Sequence, residues 1–308
     1  MTQVRAEILM TTYNGESYVR AQLDSILAQK DERWHLTVSD DGSTDATAEI
    51  LDDYATRYPD KITRYRSGRR FGQACAHFLH LMSRCDAAYM LFCDQDDVWY
   101  PEKVGRMLEA FTRAEREHGA DTPVLVFSDL TPVDEQLRPL AESMMAYQDQ
   151  RTDGFDYRAL LMQNVVTGGA AGMNRALARR AATERTEGII MHDWWVAAVA
   201  ARFGQIVYLP EALSAYRQHG DNVVGARDVR SAGYVARMLT SLGRVRGSLV
   251  DKKRQAALFA QTYAMELTVE DKAFLRGFAR SHSGPWFYWR YRRLIHGFWR
   301  LSGMMICG

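Results

Sequence analysis

Hydrophobic and polar residues alternate along the first hundred positions with two different periods. Short, densely apolar runs predict strands, and the segments between them carry apolar side chains every three or four residues, the spacing of an amphipathic helix. The predicted strands are 6–13, 34–39, 62–66 and 88–93, and the predicted helices are 17–29, 43–58 and 72–84. Strands that alternate with helices of this length indicate an α/β fold with a mostly parallel sheet flanked by helices.

The rest of the chain continues this alternation less regularly. The predicted elements are a helix to about residue 117, strands at 124–127, 206–209 and 213–216, a short glycine-punctuated strand leading into a helix near Arg175, and a helix beginning at His192. Residues 131–156 are rich in Met, Asp and Gln, and we predict a mobile loop there. From about residue 226 the chain becomes basic and aromatic, which predicts a main domain at 1–225 and a helical extension at 226–308.

Polar clusters follow three of the predicted strands, at 11–14, 39–42 and 94–97. In an open α/β sheet, ligands bind in the crevice beyond the carboxyl ends of the strands. We therefore expect the three clusters to line one binding site.

The third cluster is an acidic turn, Asp94-Gln95-Asp96-Asp97, directly after a densely apolar strand. Mg²⁺ and Mn²⁺ prefer carboxylate oxygens and usually share their coordination shell with substrate phosphates. Two carboxylates separated by one residue, Asp94 and Asp96, can both face such an ion from a strand end. A solvated turn is the alternative, and the position after a buried strand favours the metal site.

The other two clusters offer hydrogen-bonding groups. Asp40 and Asp41 can accept hydrogen bonds from a base N–H or a ribose hydroxyl, or they can form only a turn and a helix cap. Thr12, Tyr13 and Asn14 end the first strand, where they either line the same pocket or only terminate the strand.

Three further residues can serve a transfer reaction. Asp193 opens a predicted helix, and a carboxylate there can act as general base for a hydroxyl nucleophile or as the helix N-cap. Arg217 and His219 follow a short predicted strand and can neutralise a departing diphosphate, and His219 can instead join the metal shell. A plain loop is the alternative for this last segment.

Bulk composition narrows the partners and the compartment. The formal net charge of +1 excludes overall basicity as a reason to bind nucleic acid. The four cysteines include no C-x-x-C pair, so neither a zinc site nor a thioredoxin-like motif is indicated. The N-terminus has no signal-peptide pattern, and no apolar run approaches the roughly 18 residues of a membrane span. We therefore expect a protein of the reducing cytosol.

Several segments, taken in order, resemble the family 2 glycosyltransferases, which adopt the Rossmann-like GT-A fold. They are TTYNGE at 11–16, SDDGSTDAT at 39–47, DQDDVW at 94–99, TGGAAGMNRAL at 167–177, HDWW at 192–195 and YRQHGDNVVG at 216–225. The resemblance implies a catalytic domain at 1–225, in which 1–97 is the nucleotide-sugar-binding half and 98–225 the acceptor-side half.

The resemblance also implies roles by position. Asp40 or Asp41 would contact the nucleotide base, and Asp94 with Asp96 would hold Mg²⁺ or Mn²⁺ on the donor diphosphate. Asp193 would be the catalytic base of an inverting, single-displacement transfer.

Arg217 and His219 would assist the diphosphate in such an enzyme. One position departs from the family pattern, because many members carry Glu-Asp where this chain has His192-Asp193; the base is kept and its neighbour is changed. The wording of DQDDVW and YRQHG is most similar to rhamnosyltransferase-like bacterial members that build lipopolysaccharide or other surface polysaccharide. We therefore expect dTDP-rhamnose as donor, with a UDP-sugar as the alternative, and a saccharide or lipid-linked saccharide as acceptor.

The end of the chain is basic and aromatic. From Ala273 to Gly308 there are six arginines and no acidic residue, and residues 285–295 interleave aromatic side chains with arginines. Trp, Tyr and Arg favour the headgroup region of a bilayer, and anionic lipid attracts basic side chains. The extension therefore either contacts the inner face of the cell membrane or packs its aromatics on the catalytic domain, and no fold motif supports nucleic-acid binding.

Two other classes of protein share some of these features. A nucleotidyltransferase also places nucleotide and metal on an α/β sheet, but it commonly carries a Gly-rich basic phosphate loop near the N-terminus, which residues 8–20 lack. A non-catalytic, membrane-associated binding module would not need the intact carboxylates of Asp94, Asp96 and Asp193.

Overall fold

The structure is a computed structural model that describes residues 5–220, 242–280 and 284–307. Within these ranges, eight strands form one sheet: β1 (Ala6–Thr12), β2 (Trp34–Asp40), β3 (Ile62–Arg64), β4 (Tyr89–Cys93), β5 (Val98–Trp99), β6 (Val124–Val133), β7 (Ala171–Asn174) and β8 (Gln205–Arg217). The predicted boundary at 225/226 and the end of the YRQHGDNVVG segment lie outside the described residues.

Helices flank the sheet. They are α1 (Val19–Leu27), α2 (Thr47–Arg57), α3 (Ala74–Arg84), α4 (Lys103–His118), α5 (Met144–Tyr147), α6 (Tyr157–Met162), α7 (Arg175–Ala181), α8 (His192–Phe203), α9 (Leu242–Thr262), α10 (Val269–Ala279), α11 (Gly284–Arg290) and α12 (Phe298–Cys307), with short 3-10 turns at Gly168–Ala170 and Arg292–Leu294. No helix in the described ranges is long and apolar enough to cross a membrane.

The strand order in the sheet is β3-β2-β1-β4-β7-β6-β8-β5. The first four of these strands are parallel neighbours, as strands joined by helices must be. β7 runs antiparallel between β4 and β6, and β5 runs antiparallel to β8. The predicted α/β fold is confirmed, and the antiparallel β5 and β7 are the departures from a purely parallel sheet.

β8 is one strand of 13 residues, where two short strands were expected. Pro210 and the exposed Glu211 interrupt the apolar pattern in the middle of this segment. The strand nevertheless continues beside β6, because the pairing shifts register on either side of Asp129 and so absorbs the irregularity.

The expected mobile loop at 131–156 is corrected in two places. β6 continues to Val133, and α5 forms within the segment. The buried carboxylate of Asp129 accepts the Ser143 hydroxyl at 2.5 Å and the amides of Met144 and Met145 at 3.1 and 3.2 Å. A carboxylate that accepts amides at a helix N-terminus stabilises that helix, so Asp129 fixes α5 against the sheet.

The described C-terminal helices share the hydrophobic core on one side of the sheet. Phe259 of α9, Phe274 of α10 and Tyr288 of α11 are fully buried in the cluster that also contains Phe92 of β4. Burying one such aromatic contributes roughly 1.5–3 kcal/mol. The segment 242–307 is therefore packed on the catalytic fold over much of its length.

Asp271 of α10 adds a polar attachment between the same two regions. Its carboxylate accepts the Tyr157 hydroxyl at 2.7 Å and the Arg202 guanidinium at 2.8 Å. These partners belong to α6 and α8, so the attachment links α10 to both of these helices. Such contacts, with hydrogen bonds from Thr268, outweigh burial and hold the pKa of Asp271 at about 2.

Candidate active site

Asp40, at the end of β2, is saturated with internal hydrogen bonds. Its Oδ1 accepts the hydroxyls of Thr12 and Ser43 at 2.8 and 2.5 Å, and its Oδ2 accepts the amides of Gly42 and Ser43 at 3.1 and 2.8 Å. A carboxylate offers about four acceptor positions. Asp40 therefore uses its capacity to fasten the end of β1 to the turn after β2.

Asp41 holds the loop between β3 and α3. Its two carboxylate oxygens accept the backbone amides of Phe71 and Gly72 at 2.5 and 2.7 Å. The same loop places the guanidinium carbon of Arg70 4.9 Å from the centre of the Tyr13 ring. Asp41 thus shapes one wall of the crevice beside Tyr13 while keeping part of its acceptor capacity.

The end of β1 is tied to both acidic turns. Asn14 adopts a left-handed conformation, φ 46°, and its Oδ1 accepts the Thr44 amide at 2.8 Å. The backbone of Tyr13 pairs with the Gln95 side chain, through N–H to Oε1 at 2.9 Å and from Nε2 to the carbonyl at 3.1 Å. The three polar clusters therefore meet at one edge of the sheet, as predicted.

The acidic turn after β4 is held from two sides. Gln22 of α1 donates its Nε2 to the carbonyl of Asp94 at 3.0 Å. Arg217, at the end of β8, donates Nε to the carbonyl of Asp96 at 2.8 Å and its backbone N–H to Oδ1 of Asp97 at 3.2 Å. These contacts fix the backbone of the turn and leave its carboxylates close together.

His219 reaches the same turn. Its Nε2 lies 2.7 Å from Oδ2 of Asp96, and its ring stacks on Tyr18 with 4.7 Å between centroids. The guanidinium carbon of Arg217 lies 5.0 Å from the centre of the Tyr18 ring. Tyr18, which the motifs do not single out, is therefore the platform that orients Arg217 and His219.

Asp97 lies beneath the turn and is completely buried. Its Oδ2 finds no hydrogen-bond partner in the described part of the chain. Burial, with the negative charges of Asp96 and Asp94, raises the pKa of Asp97 well above its ordinary range.

The 3-10 turn at Gly168–Ala170 separates Asp193 from the acidic turn. Gly168 lies against Asp193, and Gly169 lies against Asp94. A Cβ on Gly169 would lie 2.7 Å from Oδ2 of Asp97 and 2.9 Å from Oδ2 of Asp94, and a Cβ on Gly168 would lie 2.9 Å from Nε2 of His192. Glycine is required at both positions because functional side chains occupy that space.

Asp94 and Asp193 carry the electrostatic strain of the site. Burial, together with the negative charges of Asp96 and Asp193, raises the pKa of Asp94 to about 7. Burial likewise raises the pKa of Asp193 to about 7 against the opposing amide hydrogen bonds. Carboxyl groups held in this way are found at sites that bind cations or transfer protons.

Asp193 is not the N-cap of α8, which corrects one reading of its position. The N-cap is Met191, and Asp193 is the second residue of the helix. Its Oδ1 accepts the Trp194 amide at 2.6 Å. The carboxylate therefore sits at the positive end of the helix dipole and faces the glycine turn.

A family model and several known proteins match this chain. The model of glycosyl transferase family 2 matches residues 7–184, more than half of the 308-residue chain. The chain belongs to glycosyl transferase family 2. It is similar to the dTDP-rhamnosyl transferase RfbG of Shigella flexneri, with 27% identity over 242 residues that cover 73% of this chain and 76% of RfbG. The expected enzyme class, a glycosyltransferase, is confirmed.

Solved structures show the same fold. A mannosyltransferase from Pyrobaculum calidifontis in complex with GDP-Man and Mn²⁺ matches with a TM-score of 0.54 at 16% identity, covering 99% of this chain and 84% of that one. S. aureus TarS 1–349 in complex with UDP-GlcNAc matches with a TM-score of 0.53 at 13% identity, covering 94% and 80%. The GT-A fold expected from the motifs is confirmed.

The metal ligands expected in this family 2 glycosyltransferase are only partly assembled. Among the described residues no group of three or more His, Cys, Asp or Glu side chains is arranged to hold a metal. His219 contacts Asp96 directly at 2.7 Å. The site does fit an ion that takes one or two carboxylates and completes its shell with phosphate and water, because Asp94 and Asp96 are close enough to repel each other and Oδ2 of Asp97 has no hydrogen-bond partner among the described residues.

The motif analysis assigned no role to two buried residues of this glycosyltransferase. His192 is enclosed between Phe78 and Phe92, with ring centroids at 4.1 and 4.5 Å, and burial lowers its pKa to about 3. The neighbour of Asp193 is therefore uncharged. Lys103 is fully buried beside Gly169, although a lysine on an amphipathic helix normally indicates a solvent-facing position. Only long-range contacts reveal it.

Proposed function

We propose that this glycosyltransferase moves a sugar from a nucleotide diphosphate to an acceptor hydroxyl by an inverting single displacement that depends on Mg²⁺ or Mn²⁺. The observation that supports this most strongly is the glycine turn, whose consecutive glycines lie against Asp193 on one side and Asp94 on the other. This arrangement puts a candidate base next to a candidate diphosphate site, the two ends of one displacement.

Asp94 and Asp96 would hold the metal on the donor diphosphate, with His219 beside Asp96. A divalent cation bound there stabilises the negative charge that develops on the leaving group. Arg217 adds to this stabilisation from its place beside Tyr18, and His219 lies on the same ring. Asp41 is better placed than Asp40 to contact the base or ribose, because Asp40 has its four acceptor positions filled.

Asp193 would take the proton of the acceptor hydroxyl. The acceptor oxygen then forms a bond to the anomeric carbon as the bond from that carbon to the diphosphate breaks. The bonding electrons leave with the diphosphate, and the proton stays on Asp193. Attack from the face opposite the leaving group inverts the anomeric configuration. Holding both substrates in line lowers the barrier by roughly 7–11 kcal/mol relative to free reactants.

For the donor we propose dTDP-rhamnose, with a UDP-sugar as the second candidate. The likeness to the rhamnosyl transferase supports the first, and the fold shared with a structure that holds UDP-GlcNAc keeps the second open. The acceptor would be a hydroxyl of a lipopolysaccharide or other polysaccharide, free or lipid-linked.

The decisive experiment measures nucleoside diphosphate release from dTDP-, UDP- and GDP-sugars, each with and without Mn²⁺, in the presence of saccharide acceptors. We expect the fastest release from dTDP-rhamnose, only with metal, and a product of inverted anomeric configuration by NMR. Faster release of UDP would assign the second candidate. A well-folded protein that releases no nucleoside diphosphate from any of these donors contradicts the proposal.

We also propose that α11 contacts an anionic membrane surface, where a lipid-linked acceptor would lie. Phe287 and Tyr288 of this helix pack on the core, whereas Trp286 and Trp289, three residues apart, are 82% and 50% exposed. Arg290 extends the exposed face. The packing reading of the extension therefore holds for the buried face, and the exposed face is the one that we propose for the membrane. Exposed Trp and Arg side chains match the headgroup region, and each basic residue adds about 1 kcal/mol.

Vesicles containing phosphatidylglycerol test this face. Wild-type protein should bind them, lose binding at high salt because the charges are screened, and ignore phosphatidylcholine vesicles. Trp286→Ala with Trp289→Ala should weaken binding and leave turnover of a water-soluble acceptor intact. Tyr58→Ala with Arg57→Gln, an exposed aromatic and arginine on α2, is the matched control. Equal vesicle binding by the tryptophan variant and the wild type would rule out the contact.

A further inference from the structure

Lys103, the first residue of α4, is 0% exposed. Its Nζ donates to the carbonyl of Gly169 at 2.5 Å and to Oγ of Ser214 at 2.7 Å, and it lies 4.1 Å from the centre of the Trp99 ring. In the described part of the chain it forms no salt bridge. The charges of Asp97 and Asp94 nevertheless act on the ammonium, so Lys103 also offsets part of the negative charge buried at the acidic turn.

The carbonyl that Lys103 binds belongs to the turn between the two halves of the proposed reaction centre. Gly168 lies against Asp193 and Gly169 against Asp94, and the Gly169 carbonyl accepts from Lys103. Glycine restricts the backbone less than any other residue. Neither glycine can be replaced, because His192, Asp94 and Asp97 fill the space of a Cβ. A turn that must be glycine needs an anchor from outside.

We propose that Lys103 is a positioning residue for glycosyl transfer, anchoring the Gly168–Ala170 turn so that the turn keeps Asp193 and Asp94 at a fixed separation. This inference rests on the proposed roles of those two carboxylates. Lys103 touches neither substrate, and it acts through the Gly169 carbonyl. The glycine turn then sets the distance between the proposed base and the donor diphosphate, and Lys103 keeps that distance constant.

A purely structural role for Lys103 predicts a different pattern. Its second acceptor, Ser214, belongs to β8, so the same ammonium also joins α4 to the sheet. If this junction were its whole purpose, Ser214→Ala and Lys103→Met would act alike, and both would change turnover only as far as they unfold the protein.

Three measurements on each variant separate the two roles. They are the thermal unfolding midpoint and, at a temperature where the protein is folded, the dissociation constant of dTDP with Mn²⁺ and kcat for the preferred donor. Lys103→Met should lower kcat by about 10–100-fold, as loss of a supporting contact does, with a much smaller change in dTDP affinity. Lys103→Arg, which keeps a donor and the charge, should recover part of the loss. Ser214→Ala should lower the midpoint and keep kcat within about threefold of the wild-type value, well short of that range.

Each result decides the question. A folded Lys103→Met protein with wild-type kcat overturns the proposal. If Lys103→Met does not fold, Ser214→Ala still tests it, because a loss of kcat of about tenfold or more in that folded variant would show that turnover follows the junction and not the Gly169 contact. A wild-type protein without turnover on any donor would instead refute the proposed function.

Discussion

Two acidic strand ends look alike in the sequence and differ in the structure. After β2, every carboxylate oxygen of Asp40 and Asp41 accepts at least one hydrogen bond. After β4, Asp94 and Asp97 point their Oδ2 atoms toward the same space beside Gly169, and Oδ2 of Asp97 has no partner among the described residues. The first pair is satisfied by the fold, and the second is not.

This difference separates carboxylates that the fold supplies with hydrogen-bond donors from carboxylates that it leaves short of them. A buried carboxylate that accepts amide hydrogen bonds stabilises the loops around it. Like charges gathered in a buried site cost stability, and such a cluster persists where a cation or a proton transfer uses it. Asp193 belongs with the second group, because the same glycine turn lies against it and Asp94.

Asp193→Asn should give the largest effect on kcat, and that effect would show that the Asp193 carboxylate is functional. Because Asn cannot accept the acceptor proton, kcat should fall by roughly 10²–10⁴-fold. Affinity for dTDP with Mn²⁺ should hardly change, since the base contacts the acceptor and not the diphosphate. Steady-state kinetics and calorimetry on one purified variant measure both.

If Asp193→Asn keeps more than about a tenth of wild-type activity, the loss is smaller than the smallest loss expected of a missing base. This carboxylate would then be structural. The base would then have to be sought elsewhere. Asp97 is the next carboxylate to test, but it is completely buried, which keeps it away from an acceptor.

Asp41→Ala should reduce the free energy of unfolding, whereas Asp94→Asn should not. Removing Asp41 leaves the Phe71 and Gly72 amides without acceptors, at a cost of about 1–3 kcal/mol. Removing the charge of Asp94 relieves repulsion from Asp96 and Asp193, so stability should stay the same or rise. Urea unfolding compares the two. A more destabilising Asp94→Asn would reverse the distinction between the turns.

The pH dependence should show the smallest effect, about tenfold per pH unit. The pKa of Asp193 is raised to about 7, so kcat/KM should fall tenfold per unit as the pH drops below 7 and the base is protonated. Between about pH 4 and 7 the folded form holds a proton that the unfolded form lacks. Stability should therefore decrease with rising pH, by up to about 1.4 kcal/mol per unit for this group.

Initial rates at low donor concentration, with thermal unfolding recorded over the same pH range, check both parts of this prediction. A flat kcat/KM between pH 5 and 8 would show that Asp193 is either not the base or not buried as described.

Local patterns predicted the parts of this fold that depend on local contacts. The period of the apolar residues located β1 to β4 and α1 to α4 within a few residues, and the strand ends placed the polar clusters at one edge. β8 was divided because Pro210 and Glu211 break its pattern, and its continuity depends on pairing with β6, which no local window contains.

The site was predictable as a set of motifs and not as a geometry. The order of the acidic segments indicated Asp94, Asp96 and Asp193 as candidates. The anchoring of the glycine turn by Lys103, 66 residues away in the chain, has no local signal. Likewise, the sequence shows Asp40 and Asp94 as equivalent strand-end carboxylates, and only the hydrogen bonds distinguish them.

The most direct test of the account is nucleotide binding by wild type and Asp96→Asn, measured as a thermal shift with dTDP and UDP, with and without Mn²⁺. At 100 times its dissociation constant the preferred nucleotide should add about 2.7 kcal/mol of stability. We predict that wild type shows this gain only with Mn²⁺, and that Asp96→Asn folds normally and loses it. An undiminished, Mn²⁺-dependent gain in Asp96→Asn, or an equal gain without metal in the wild type, would contradict the assignment of this turn to the metal and the donor diphosphate.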